Sequence, residues 1–154
     1  MQDIRSIAVS GPSRKDDGRE MKTKIANDSH LLKEVSMELI RQLQKKGVDE
    51  DIVFDVHVGF EEALRNAMVH GNKSIPGRHV TVEAEISDLS VTICVEDEGD
   101  GFDPARLPDP TKQENLLKES GRGVYLMRHL MDEIRYENGG RRVVMVKYFG
   151  KKHL

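Results

Sequence analysis

Residues 80–102 read VTVEAEISDLSVTICVEDEGDGF, and this stretch decides the fold. Apolar and polar residues alternate over 80–86 and again over 91–95, on either side of a Ser87-Asp88 turn. Alternation with a period of two predicts an antiparallel hairpin with one covered face and one wetter face. The stretch ends in an acidic turn that contains two glycines.

Two helices are predicted before this hairpin. The first follows Asn27-Asp28-Ser29, whose side chains can cap a helix, and Gly47 ends it. The second runs from about Glu50 to Gly71, and apolar residues recur along it at helical spacing. Residues 21–26 predict a short edge strand ahead of both helices.

A long loop, a third helix and a second hairpin are predicted after it. Residues 97–120 are rich in glycine, proline and charge, and loops of that length in small domains are usually functional or disordered. The third helix begins near Gly121. Strands at 134–136 and 143–149 close a hairpin across 138–140. Helices with mostly antiparallel strands predict an α+β fold, a two-layer sandwich whose mixed, mostly antiparallel sheet is covered on one face by about three helices.

The composition predicts a single cytoplasmic domain. The 154 residues have a net charge of −3, which gives no broad attraction to nucleic acid or to a membrane surface. No apolar run is long enough to span a membrane, and the lone cysteine, Cys94, suits a reducing compartment. We expect a flexible leader or short extra strand at 1–20, a single folded domain at 21–150 and a tail at 151–154.

The second helix carries the first candidate site residues, Glu62 and Asn66. They are four residues apart, so they share one helix face at the edge of the apolar stripe. Glu61 is expected to pair with Arg65, which leaves Glu62 without a basic partner. A carboxylate beside a metal-bound phosphate can act as a general base. Taken alone, the pattern is more typical of ordinary polar residues on an exposed helix edge.

The acidic turn after the second hairpin strand is the second candidate. Asp97 can accept hydrogen bonds from an exocyclic amine, and Gly99 and Gly101 allow positive φ angles and close approach to a flat ligand. A plain acidic turn is an alternative. A calcium loop is excluded, because aligning Gly101 with the loop glycine puts Leu107 where the bidentate glutamate must be.

A third candidate is Gly121-Arg122-Gly123, at the start of the third helix. Glycines before a helix leave its first N–H groups accessible to phosphate, and Arg122 adds a positive charge. Alternatively, these glycines simply end a mobile loop, since a lone Gly-x-Gly is weak evidence.

Together, the three clusters resemble the nucleotide-binding motifs of the GHKL ATPase superfamily, and most closely those of bacterial anti-sigma factor serine kinases. The resemblance covers about residues 21–149. Its motifs, in order, are Glu62-x-x-x-Asn66-Ala67-x-x-His70-Gly71, Asp97-x-Gly99-x-Gly101-Phe102 and Gly121-x-Gly123-x-x-Leu126.

This resemblance implies a site for ATP and Mg²⁺. Asn66 would bind the Mg²⁺, Glu62 would take the proton from a substrate serine, and Asp97 would recognise adenine. Residues 103–120 would form the lid over the nucleotide. The remaining nucleotide-binding positions that it implies are His70, Gly99, Gly101, Phe102, Gly121, Arg122, Gly123 and Val124.

The resemblance further implies a regulatory serine/threonine-protein kinase. It would phosphorylate a STAS-domain anti-anti-sigma partner, sequester a sigma factor or similar target, and possess an N-terminal strand region suited to homodimers. The alternative is a nucleotide-gated binding module with little or no catalysis. Glu119 favours it, because some members have a basic residue there, and so does Arg141, where many have threonine. A third and weaker hypothesis is that the chain is the catalytic domain of a sensor histidine kinase.

Overall fold

The computed structural model describes residues 8–10, 19–101 and 126–150 of the chain. The strands are β1 (Ala8–Ser10), β2 (Arg19–Ala26), β3 (His79–Ile86), β4 (Ser90–Glu96), β5 (Glu133–Glu137) and β6 (Arg142–Tyr148). The helices are α1 (Ser29–Lys46), α2 (Glu50–Arg65) and α3, which is helical over the described residues 126–130. A π-helical segment, Asn66–Gly71, continues directly from α2.

The six strands form one sheet in the order β1-β2-β3-β4-β6-β5. Every pairing among these described strands is antiparallel. The predicted hairpin is β3–β4, with Ile86 opposite Val91 next to the turn. The closing hairpin is β5–β6, joined by a short 3₁₀ turn at Asn138–Gly140. The sheet therefore places the end of β4 beside the start of β6, where Glu96 pairs with Arg142.

The ends of α1 follow the capping signals in the sequence. The Asp28 side chain accepts a hydrogen bond of 2.7 Å from the His30 N–H, and Gly47 ends the helix with a left-handed φ of 88°. A residue with a side chain is strained at that angle, which is why glycine is favoured there. The predicted start and end of this helix are confirmed.

The core lies between the helices and one face of the sheet. Along β3 and β4, alternate residues are buried on this face, as the alternation in the sequence predicted. The fully buried side chains of the core include Val35, Leu39, Val56, Phe60, Leu64, Val80, Val82, Val91 and Ile93. The α+β two-layer prediction is confirmed. Among the described residues, no helix combines the length and the apolar character that crossing a membrane requires.

Two contacts attach α3 to the rest of the helical layer. The Lys147 ammonium donates to the Leu130 carbonyl at 2.6 Å and to the Asp55 carboxylate of α2 at 3.1 Å. Met131 packs against α2 at Gly59, where an added Cβ would lie 3.1 Å from the methionine sulfur. These contacts fix the C-terminal end of α3 against α2.

Candidate functional site

Two segments meet at the candidate site: the end of α2 with its π-helical continuation, and the turn after β4. Glu62 lies in the last turn of α2 with its side chain 20% exposed. Asn66 is the first residue of the π-helical segment, and its backbone N–H donates to the carbonyls of Glu62 and Ala63. The two side chains therefore follow each other along one helix face, as the spacing predicted.

The predicted pairing of Glu61 with Arg65 is wrong. The Arg65 guanidinium instead donates to Glu62 Oε1 at 2.7 Å. Glu61 lies between the Lys33 ammonium of α1, at 3.1 Å, and the His57 ring, at 2.9 Å. Because α1 supplies a cation and His57 lies one turn earlier, Glu61 is already engaged and Arg65 turns to Glu62. Burial raises the pKa of Glu61, but these two partners outweigh it and leave the pKa lowered.

The change from α-helix to π-helix begins at Asn66. In the wider turn, the Asn72 N–H donates to the Ala67 carbonyl, five residues back, at 2.7 Å. Single π-helical turns inside α-helices occur frequently at functional sites. The Asn66 side-chain amide makes no hydrogen bond within the part of the chain that the structure describes, so its oxygen is available to a ligand.

Asp97 is held at the end of β4 by backbone groups. Its N–H donates to the Arg141 carbonyl at 3.0 Å, and its Oδ1 accepts from the Gly99 N–H at 2.8 Å. Burial raises the pKa of Asp97, which the Gly99 hydrogen bond and the charge of Arg141 only partly oppose. A partly desolvated carboxylate with one oxygen fixed internally is a suitable acceptor for a ligand N–H group.

Glycines bring the two segments into direct contact. A Cβ on Gly71 would lie 2.1 Å from Asp97 Oδ2, and a Cβ on Gly99 would lie 1.9 Å from the Gly71 carbonyl oxygen. Gly101 has a φ of 80° and faces the Gly139 carbonyl, 2.2 Å from an added Cβ. Of the two turn glycines only Gly101 has a positive φ, so the expectation for Gly99 is corrected: that glycine makes room for the backbone of Gly71.

Sequence reasoning missed Asn72, a fully buried residue behind this contact. Its side chain donates to Asn27 Oδ1 at 3.0 Å and to the His79 carbonyl at 2.9 Å. It also accepts the Glu98 N–H at 2.7 Å. The one signal in the sequence is an asparagine directly after the glycine that ends the helix, a position where asparagine more often caps than occupies a core.

Of the other predicted site residues, the structure describes His70. The His70 side chain is exposed on the π-helical segment. The remaining predicted site residues lie outside the described residues, as does the proposed lid at 103–120: Phe102, Gly121, Arg122, Gly123 and Val124. Their proposed roles stay predictions.

The donor set suits Mg²⁺ bound mainly through phosphate. Within the described ranges, no group of three or more His, Cys, Asp or Glu side chains could hold a metal ion. Asn66 offers one neutral oxygen, and Mg²⁺ is usually held by one or two protein oxygens together with substrate phosphates and water. The residues present therefore fit a nucleotide-bound Mg²⁺ better than an ion held by protein ligands alone.

The chain is similar in sequence to known proteins. Residues 25–147 match the family described as "Histidine kinase-like ATPase domain". The chain is 33% identical over 111 residues to Serine-protein kinase RsbW of Bacillus subtilis, covering 68% of this chain and 69% of the relative. It is 30% identical over 118 residues to Serine-protein kinase RsbW of Staphylococcus aureus (strain JH9), covering 71% and 74% respectively.

Proposed function

Since this chain belongs to the family of histidine kinase-like ATPase domains, we propose that it is an ATP-dependent serine/threonine-protein kinase with a regulatory role. Its substrate is a STAS-domain anti-anti-sigma protein, and it also sequesters a sigma factor or similar target. The proposal is supported by the similarity to serine-protein kinases over about 70% of each chain. It is supported equally by the resemblance of the three motifs.

One observation carries the proposal: the end of α2 and the Asp97 turn touch through Gly71 and Gly99. This contact brings Glu62 and Asn66, the proposed base and the proposed metal ligand, onto the same structural unit as Asp97, the proposed adenine-binding carboxylate. A nucleotide bound across the contact would be recognised at its base on one side and at its phosphates on the other. Holding the reacting groups in fixed positions is the main contribution a protein makes to phosphoryl transfer.

Each residue then has a task that its surroundings permit. Asp97 accepts a hydrogen bond from the adenine amine, and the Gly99 N–H fixes the orientation of its carboxylate. Asn66 supplies a side-chain oxygen to Mg²⁺, which when bound neutralises charge on the phosphate oxygens. Glu62 would take the proton from the serine hydroxyl of the substrate as that oxygen attacks the γ-phosphorus of ATP, the bond from this phosphorus to the bridging oxygen breaks and ADP leaves. Arg65 orients the Glu62 carboxylate.

A second function is favoured by one observation. Arg65 contacts Glu62 at 2.7 Å, so the proposed base is engaged in an ion pair. Because one of its oxygens already accepts from Arg65, the Glu62 carboxylate is less accessible to a serine hydroxyl unless substrate binding displaces the guanidinium. If Arg65 stays paired with Glu62, the protein is a nucleotide-gated binding module in which ATP orders a partner surface without turnover.

The test combines the purified protein, Mg²⁺, γ-labelled ATP and a cognate STAS-domain protein. We expect a phosphoserine product with the wild type and loss of the product with Glu62→Ala. ATP-dependent capture of the partner without any phosphoserine would support the binding module instead. A parallel thermal-shift series with ATP, ADP and GTP, each with and without Mg²⁺, tests nucleotide binding itself, because a ligand specific to the folded state raises the midpoint. No shift with any adenine nucleotide would contradict both functions.

A further inference from the structure

Asn72 is held by a complete set of side-chain hydrogen bonds. Both amide hydrogens are used, by Asn27 Oδ1 and the His79 carbonyl, and the amide oxygen accepts the Glu98 N–H. The residue has no solvent-exposed surface. A buried amide with every donor satisfied holds its neighbours in one arrangement, since each broken bond would leave an unpaired polar group.

These bonds close a ring between three segments. Asn72 donates to the His79 carbonyl at the start of β3, and the His79 N–H donates to Glu98 Oε1 at 2.7 Å. The Glu98 N–H returns to Asn72 at 2.7 Å. The ring therefore links the end of the π-helical segment to the residue directly after Asp97. A separate branch runs through Asn27, whose amide donates to the Met68 carbonyl at 3.3 Å.

The ring lies one residue from each side of the glycine contact. Asn72 follows Gly71, and Glu98 lies between Asp97 and Gly99. Because Gly71 and Gly99 have no side chains to interlock, their contact by itself does little to fix the relative position of the two segments. The bond between Asn72 and the Glu98 N–H supplies a directional constraint at this point.

We propose that Asn72 is a positioning residue that holds the Asp97 carboxylate in register with the α2 side of the site, and thereby sets the preference for adenine over guanine nucleotides. It does so through the Glu98 backbone, without contact with the nucleotide. The inference rests on the proposed ATP site. A carboxylate accepts a hydrogen bond from the exocyclic amine of adenine and is repelled by a carbonyl at the same position in guanine, so discrimination depends on where Asp97 is held.

The experiment measures the dissociation constants of Mg-ATP and Mg-GTP by calorimetry for the full chain and three variants. Asn72→Ala removes the ring. Asn72→Asp keeps an oxygen for the Glu98 N–H but loses both donors. Asn27→Ala is the matched control, because it breaks a neighbouring, partly buried branch and leaves the bond to Glu98 in place. A melting curve for each variant establishes that it is folded.

We expect the wild type to prefer ATP, and Asn72→Ala to lower the GTP-to-ATP ratio of dissociation constants by about tenfold, the equivalent of one directed hydrogen bond. Asn72→Asp should retain most of the wild-type ratio, and Asn27→Ala all of it. If Asn72→Ala does not fold, the GTP-to-ATP ratio of dissociation constants measured for Asn72→Asp tests the proposal.

Three results with the variants would overturn the inference. They are a folded Asn72→Ala with the wild-type ratio of dissociation constants, an Asn72→Asp whose ratio falls well below that of the wild type, and an Asn27→Ala that lowers the ratio as much as Asn72→Ala does. A wild type that binds ATP without preferring it to GTP would also overturn it. A wild type that binds no nucleotide would instead remove the proposed function on which the inference rests, so the two failures are distinguishable.

Discussion

The two halves of the candidate site are held in place by different means. The turn half, Asp97 with Gly99, is fixed by backbone hydrogen bonds, and its close approach to Gly71 leaves no room for a side chain. The helix half, Glu62 with Asn66, consists of partly exposed side chains, one in an ion pair and one without a hydrogen bond to the described residues. The turn half should therefore be sensitive to added volume as well as to chemical identity, whereas the helix half should be sensitive mainly to chemical identity.

The largest effect should come from changing chemistry in the helix half while keeping its shape. We expect Glu62→Gln to reduce phosphoserine formation by about 10²- to 10⁴-fold, the usual contribution of a positioned general base. ATP affinity should stay close to that of the wild type, because the amide occupies the same volume. Single-turnover transfer and calorimetric ATP binding measure the two quantities.

Glu61→Gln is the matched control for that prediction. Glu61 is the neighbouring carboxylate, but it is engaged by Lys33 and His57 on the side of α1. Phosphoryl transfer should survive this change. Wild-type transfer by Glu62→Gln, or equal losses in the two variants, would show that Glu62 is not the base. The helix half would then not depend on the chemical identity of Glu62.

In the turn half, the next largest effect is expected for Asp97→Asn. ATP affinity should fall roughly 10- to 100-fold, as expected when a hydrogen bond to a charged group is lost. The stability of the nucleotide-free protein should nevertheless rise at neutral pH. Burial raises the pKa of Asp97 in the folded state, so the folded protein binds its proton more tightly than the unfolded chain does.

The sign of that stability change gives a separate test. Stability from the protonated carboxyl is present below the ordinary pKa of 3.8 and is lost as the pH rises through the raised pKa. Asparagine does not ionise, so the advantage of Asp97→Asn should grow across this window and stay constant above it. Denaturant unfolding at a series of pH values measures it. A variant less stable than the wild type at neutral pH would show that the charge is fully compensated in the folded protein.

A smaller effect is expected from adding volume to the turn half. Gly99→Ala should destabilise the fold by about 1–3 kcal/mol, the usual range for overpacking, because the neighbour at 1.9 Å is a backbone oxygen that cannot rotate away. ATP affinity should fall with it. Chemical unfolding and calorimetry measure both changes.

The control for Gly99→Ala is Gly77→Ala. Gly77 has a φ of 90° but open space around its Cβ position, so alanine there adds backbone strain of about 1–2 kcal/mol without a clash. Gly77→Ala should leave ATP affinity unchanged. If the two variants lose affinity equally, the glycine contact is not what forms the turn half.

Much of the architecture followed from local signals in the sequence. The period-two alternation of β3 and β4, the Asp28 cap and the Gly47 terminus are each encoded within a few residues, and each was found where it was predicted. Asp97 was placed correctly at the end of a strand for the same reason. Such signals predict the structure because backbone conformation and burial periodicity depend on residues that are close together in the sequence.

The errors concern contacts between distant residues. One of the two partners of Glu61 is Lys33, which lies 28 positions away on another helix, so spacing within α2 could not reveal it. The burial of Asn72 depends on Asn27, His79 and Glu98, which the sheet brings together from separate segments. The role of Gly99 was misassigned because the backbone that it accommodates belongs to Gly71. Local pattern does not encode these juxtapositions, which arise from packing.

The smallest effect should appear outside both halves, at Glu61. Its pairs with Lys33 and His57 involve partly exposed partners, so Glu61→Gln should destabilise the fold at neutral pH by no more than about 1 kcal/mol. Burial opposes ionisation of Glu61, but its partners prevail and lower the pKa in the folded state. The contribution is therefore complete above the ordinary value of 4.5 and is lost as the pH falls through the lowered pKa.

Unfolding curves for the wild type and Glu61→Gln should therefore converge as the solution is acidified below pH 4.5. Glu34→Gln is the control, because Glu34 contacts the highly exposed His30 at 3.7 Å and should contribute less than Glu61 to stability at neutral pH. A difference for Glu61→Gln that persists unchanged into acid would mean that the glutamate acts through packing. If phosphoryl transfer is intact in Glu61→Gln, two adjacent carboxylates on α2 have different roles: Glu61 stabilises the fold and Glu62 takes part in the reaction. The roles then differ between neighbouring residues of one helix, and not only between the helix half and the turn half.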